Sequence, residues 1–65
     1  MRTKYDSETD ALYLRFAETA VVDTEEVRPG VMVDLDAAGR IVAIEVLDAS
    51  AHLAEGADLA RFVAA

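Results

Sequence analysis

From Val31 to Leu47 the chain is almost continuously apolar: Val31-Met32-Val33-Asp34-Leu35, then Asp36-Ala37-Ala38-Gly39, then Arg40-Ile41-Val42-Ala43-Ile44-Glu45-Val46-Leu47. β-Branched side chains suit a pleated surface, and Asp36 with Gly39 at the fourth position fits a type I turn closed by a G1 bulge. The pattern predicts a β-hairpin. A three-residue loop Ala37-Ala38-Gly39 pairs Asp36 with Arg40 and then, stepping outward, Leu35 with Ile41, Asp34 with Val42, Val33 with Ala43, Met32 with Ile44 and Val31 with Glu45. Cross-strand partners share a face. Val31, Val33, Leu35, Ile41, Ala43 and Leu47 therefore fall on one side, and Met32, Val42, Ile44 and Val46 on the other. Both sides are mostly apolar, so the hairpin expects cover on both.

The other elements are weaker. Leu12, Leu14 and Phe16 alternate with polar positions, and closing the loop Ser7-Glu8-Thr9-Asp10 with Asp6 and Ala11 pairs Tyr5 with Leu12, Lys4 with Tyr13, Thr3 with Leu14 and Arg2 with Arg15. A one-residue shift would bury Lys4 against Leu12, so the apolar pattern selects this register. Val22 to Val27 reads as an edge strand interrupted by Asp23, Glu25 and Glu26; pairing Phe16 with Val22 sets Arg15 against Asp23 and Tyr13 against Glu25. Pro29-Gly30 fits the centre of a type II turn. After Leu47 the period becomes helical, with Asp48 and Ser50 as possible N-caps, an interruption at Gly56, and Leu59, Phe62 and Val63 on one stripe.

The fold class expected is α+β: one domain over 1–65, an antiparallel meander sheet of four to five strands over about 2–47, and a helical tail over about 49–64 packed on one face. A 65-residue domain buries only about 60% of its unfolded surface. Much of the 54% hydrophobic content is alanine, and there is no cysteine to add a disulfide or a thiolate metal site. The tail supplies apolar cover for one hairpin face. The other face, represented by Val33, Leu35, Ile41 and Leu47, is the candidate interface, and the expected partner is a second copy or a small basic protein. The formal net charge of −7 repels phosphate backbones and anionic lipid, which disfavours autonomous nucleic-acid or membrane binding. With no apolar run of membrane-spanning length and no signal-peptide pattern, a cytoplasmic location is expected.

Tyr5-Asp6, Asp10-Ala11-Leu12-Tyr13, Glu25-Glu26-Val27, Pro29-Gly30-Val31, Val33-Asp34-Leu35-Asp36, Gly39-Arg40-Ile41-Val42 and Ile44-Glu45-Val46-Leu47-Asp48-Ala49-Ser50 resemble the small bacterial family catalogued as domain of unknown function 2283. The resemblance runs over roughly 5–50, and its closing Glu-aliphatic-Leu-Asp-Ala-Ser run is its most specific part. It implies a stand-alone bacterial cytoplasmic domain and brings no catalytic residues. Families of this kind are often encoded beside small toxin-like proteins, so the resemblance also implies an antitoxin-like role.

No catalytic, cofactor or metal residues are expected. Asp34, Asp36, Gly39 and Glu45 mimic positions 1, 3, 6 and 12 of a calcium loop, but Ala38 has no oxygen at position 5, the flanks are strands, and four cross-strand pairs lie between Asp36 and Glu45. His52 is the only histidine and has no evident second ligand. Asp6, Glu8 and Asp10 share one acidic turn, Ser7 and Ser50 have no base at a recognisable spacing, and Gly30 and Gly39 are turn glycines. Two functional classes remain: a non-enzymatic protein-interaction module, which is the reading preferred, and a small hydrolase-like enzyme using the acidic turn residues, for which so short a sheet leaves little room for a cleft.

Overall fold

A computed structural model describes residues 2–62. Five strands, β1 (Arg2–Asp6), β2 (Ala11–Arg15), β3 (Asp23–Arg28), β4 (Val31–Leu35) and β5 (Ile41–Val46), are followed by one helical turn, α1 (Ala49–His52), and a 3-10 turn, Leu59–Phe62. They form one antiparallel sheet in the order β1-β2-β5-β4-β3. The fold is thus mostly β with a small helical part.

The β1–β2 register is the one that burial selects: Tyr5 with Leu12, Lys4 with Tyr13, Thr3 with Leu14 and Arg2 with Arg15. The meander expectation fails at the next step. β2 pairs with β5, not β3, and β3 pairs only with β4. A meander would leave Ile41–Val46, the most apolar strand, with one unpaired edge. The observed order gives β5 neighbours on both sides and puts acidic β3, exposed along its whole length, on the outside. The connection from β2 to β3 then passes two strands, making β2-β5-β4-β3 a Greek key.

The second correction concerns the hairpin. Gly39 has φ +77°, its amide donates to Asp36 O at 2.9 Å, and Asp36 N donates to Arg40 O at 2.9 Å, as a type I turn with a G1 bulge requires. Leu35 faces Ile41 as expected. The register then shifts, so Asp34 pairs with Ala43, Val33 with Ile44, Met32 with Glu45 and Val31 with Val46, leaving Val42 without a partner. The bulge moves every later β5 side chain to the opposite face. Val31, Val33, Ile44 and Val46 now share one side, whereas Met32, Asp34, Ala43 and Glu45 share the other. The hairpin has one apolar face and one mixed face, not two apolar ones.

The apolar face carries the core. Leu12, Val46 and Ala49 are buried together, with Tyr5, Leu14, Val31, Ile44, Leu53, Leu59 and Phe62 packed around them. The tail reaches this face as two short turns; among the described residues no continuous helix runs from 49 to 62. Its 3-10 turn lies against β1. Val63, placed by its spacing on the same stripe, lies outside the described residues. Pro29 and Gly30 join β3 to β4, with φ +86° at Gly30, as a type II turn needs at its third position.

Candidate functional site

The most tightly connected group of polar side chains joins the first turn of the chain to α1. Asp10 ends the four-residue β1–β2 loop at φ 57°. Its Oδ1 accepts from the Tyr5 hydroxyl at 2.5 Å, and its Oδ2 accepts from Ser50 Oγ at 2.5 Å and from Ser50 N at 3.1 Å. Its backbone carbonyl accepts from Ala49 N at 2.8 Å. Asp48, the residue before α1, sits at φ 51° and makes no side-chain cap bond. Asp48 thus holds the N-cap position expected of it but caps nothing with its side chain, and Ser50 lies inside the turn. Asp10 supplies the acceptors for the first amides of α1 from across the chain, and Ser50 is its donor.

These bonds set the electrostatics of the group. Hydrogen bonds from Ser50 first and Tyr5 second hold the Asp10 carboxyl below the ordinary carboxylate range, against a smaller opposing effect of desolvation. The Tyr5 hydroxyl is raised, chiefly because it donates to that carboxylate. The arrangement favours an ionised Asp10 surrounded by donors, which suits a structural clasp. It does not suit a base awaiting a proton, because each carboxylate oxygen already receives one.

The remaining candidates are dispersed. Asp6 Oδ1 accepts from Glu8 N at 3.0 Å, a local turn bond. Asp36 Oδ1 accepts from Ala38 N and Arg40 N, both at 2.9 Å, inside its own turn. Asp34, 9% exposed, accepts from Thr24 Oγ1 at 2.7 Å on the mixed face, and Glu45 is four pairs from Asp36 along the observed register. The calcium-like spacing is thus spread along a strand. His52 packs over Gly30: a Cβ there would lie 2.8 Å from His52 Nε2. No cluster of three or more His, Cys, Asp or Glu suited to a metal occurs among the described residues.

On the mixed face the pairings produce rows across the sheet. Arg2, Arg15, Ala43, Asp34 and Thr24 form one, and Lys4, Tyr13, Glu45, Met32 and Glu26 the next. Ala43, fully buried between larger neighbours, lets the Arg15 and Asp34 charges act on each other. Arg15 also donates to Ala17 O at 2.9 Å, Thr19 O at 3.0 Å and Tyr13 Oη at 3.2 Å, which fixes the start of the β2–β3 connection.

The apolar face is only partly covered. Around the Leu12–Val46 end the tail closes it, but the end near the Asp36–Gly39 turn leaves Phe16 45% and Ile41 52% exposed. These residues are neighbours: Phe16 N donates to Val42 O at 2.8 Å, and Leu35 faces Ile41. Val33 and Leu35, both half-buried, continue the strip. Of the four candidate interface residues, Val33, Leu35 and Ile41 thus lie together. Leu47 does not join them. It is exposed, its amide donates to Gly30 O at 2.7 Å, and it lies at the other end of β5, about 20 Å from Ile41 at a strand rise of roughly 3.3 Å per residue. Phe16 belongs to the strip but was missed, since strand order alone brings it there.

No helix among the described residues is long and apolar enough to cross a membrane. Neither curated proteins nor solved structures give a match to this chain. The family model described as Protein of unknown function (DUF2283) matches residues 2–50, a span that contains the whole Tyr5–Asp10–Ser50 clasp and all five strands, and the chain belongs to that family.

Proposed function

We propose that the protein is a non-enzymatic interaction module that associates with a second copy of itself through the uncovered end of its apolar face. The observation that carries this is the contiguous strip of Phe16, Leu35 and Ile41, of which Phe16 and Ile41 remain about half exposed on so small a domain. Burying such side chains contributes on the order of 1 kcal/mol each. Set against the cost of association, that sum makes a weak dimer, populated at high micromolar protein. Asp23 and Glu25 pair with Leu35 and Val33 and so flank the strip on one side only. A twofold axis along the strands keeps the two sets of acids apart, whereas one across the strands opposes them.

The same acids, with a net charge of −7, favour a second reading: the strip takes a small basic protein, an antitoxin-like role. An adjacent basic partner would compete with the second copy for one surface. Against the hydrolase-like alternative stands the use already made of the acidic turn, where Asp10 is saturated by Tyr5, Ser50 and Ala49 and Asp6 is engaged with Glu8. Sedimentation equilibrium of wild type and Ile41→Asp tests the dimer. Mass rising with concentration for wild type but not for Ile41→Asp supports it. Equal, concentration-independent monomer masses reject it.

A further inference from the structure

The mixed face carries a feature that the interaction strip does not use. Arg2, Thr3, Lys4 and Tyr13 line an open concavity of about 310 Å³ at the β1 edge, with a largely apolar floor. Cross-strand pairing puts Lys4 beside Tyr13 and Arg2 beside Arg15, so three of the chain's six basic residues share one corner of an acidic protein. Two arginines directly opposite each other repel. Here an internal carboxylate relieves the repulsion: Glu18 Oε2 lies 3.2 Å from Arg2 Nε and 3.6 Å from Arg15 Nε, and Arg2 Nη2 donates to Glu18 Oε1 at 3.3 Å. Arg15 is immobilised by its bonds to Ala17, Thr19 and Tyr13, whereas Glu18 and Arg2 are largely exposed. A solvated pair of this kind is worth little, so an outside anion can displace Glu18 at small cost.

We propose that this corner is a binding site for a small organic anion, in which a carboxylate or phosphate group takes the place of Glu18 between Arg2 and Arg15, Lys4 adds a third positive charge, and a flat apolar body lies against the Tyr13 ring. Arg2 offers its Nε and Nη2 as a fork, which recognises carboxylate and phosphate alike, while Arg15, its own fork held by Ala17 O and Thr19 O, contributes positive charge. Glu45 follows Tyr13 in the same row and sets a limit: the anionic group belongs at the Arg2 end of the concavity, with the uncharged body toward β5.

Titrations with benzoate, phenyl phosphate and inorganic phosphate, followed by amide chemical shifts of the whole chain at low salt, test this. Benzoate and phenyl phosphate are expected to give saturable shifts confined to Arg2–Lys4, Tyr13–Arg15 and Glu18, with millimolar affinity, and inorganic phosphate to bind several-fold more weakly because it lacks the body. Glu18→Gln should tighten binding several-fold by removing the internal competitor, Lys4→Gln should weaken it several-fold, and Arg40→Gln, at the far turn, should leave it unchanged. Shifts that rise linearly and are reproduced by sodium chloride overturn the site. So does a Glu18→Gln variant, shown folded by its spectrum, that binds no more tightly than wild type. These outcomes are independent of dimerisation, which uses the opposite face.

Discussion

His52 and Gly30 give the sharpest stability prediction. Gly30 and Gly39 have similar backbone conformations, φ +86° and +77°, but different surroundings: nothing lies within 4 Å of a Cβ at Gly39, whereas one at Gly30 would meet His52 Nε2 at 2.8 Å and Leu47 O at 3.4 Å. Gly39→Ala therefore measures the left-handed backbone cost alone, about 1–2 kcal/mol. Gly30→Ala adds displacement of the imidazole, an off-rotamer cost of about 0.5–1.5 kcal/mol. In so small a domain each kcal/mol lowers Tm by about 4–8 °C. Urea unfolding of the two alanine variants, of His52→Ala and of the Gly30→Ala/His52→Ala double variant closes a cycle whose coupling term should recover the added part. Equal losses for Gly30→Ala and Gly39→Ala, with no coupling to His52, would refute the packing of His52 on the type II turn and return the histidine to the list of free side chains.

Other perturbations report on other parts of the fold. Gly39→Val, β-branched at positive φ, should cost about 1–3 kcal/mol in thermal or urea unfolding, and an unchanged stability would contradict the G1 bulge. Asp10 has a folded pKa below its unfolded one, so its contribution is complete above the unfolded value near 4 and is lost as pH falls through the folded value. Asp10→Asn should flatten the dependence of Tm on pH in that acid range, and an unchanged acid limb would mean the clasp does not depend on charge. Val42→Ala removes two methyl groups from a side chain only 1% exposed and should cost about 1–3 kcal/mol, while Ile41→Ala should alter monomer stability far less; equal losses in urea unfolding would contradict the bulge. Calorimetry with calcium should show no one-site isotherm, because Asp34 and Asp36 accept hydrogen bonds from Thr24, Ala38 and Arg40; a signal abolished in Asp34→Asn would refute that.

The sequence made the local structure legible wherever one arrangement alone kept charge out of the core. Lys4 cannot face Leu12, so the β1–β2 register follows from a single polar residue. Gly39 and Pro29-Gly30 specify their turns through φ. The β5 bulge left no such mark: Val42-Ala43-Ile44 is apolar at every position, so sliding the frame by one exchanges one apolar residue for another. Asp34 is the residue whose pairing could have exposed the error, since the simple register set it against Val42, whereas the bulge sets it against small Ala43 in a row with Arg15 and Thr24. Strand order was hidden for a different reason. The acids of β3 show that it is an edge but not which strand it borders. The clasp, finally, is a contact between residues 40 apart. Local capping rules pointed to Asp48 and Ser50, and only the presence of Asp10 and Ser50 in the same family-like pattern hinted that they belong together.

If the strip at the Phe16–Ile41 end of the apolar face is an interface, the mass of the protein depends on its concentration. Light scattering after size exclusion, run from low to high micromolar protein on wild type and on a Phe16→Asp/Ile41→Asp variant, tests it most directly. The wild-type mass is expected to rise toward twice the 7.0 kDa of one chain, with the variant remaining a folded monomer. A monodisperse, thermally stable wild-type monomer at the highest concentration, indistinguishable from the variant, would contradict it.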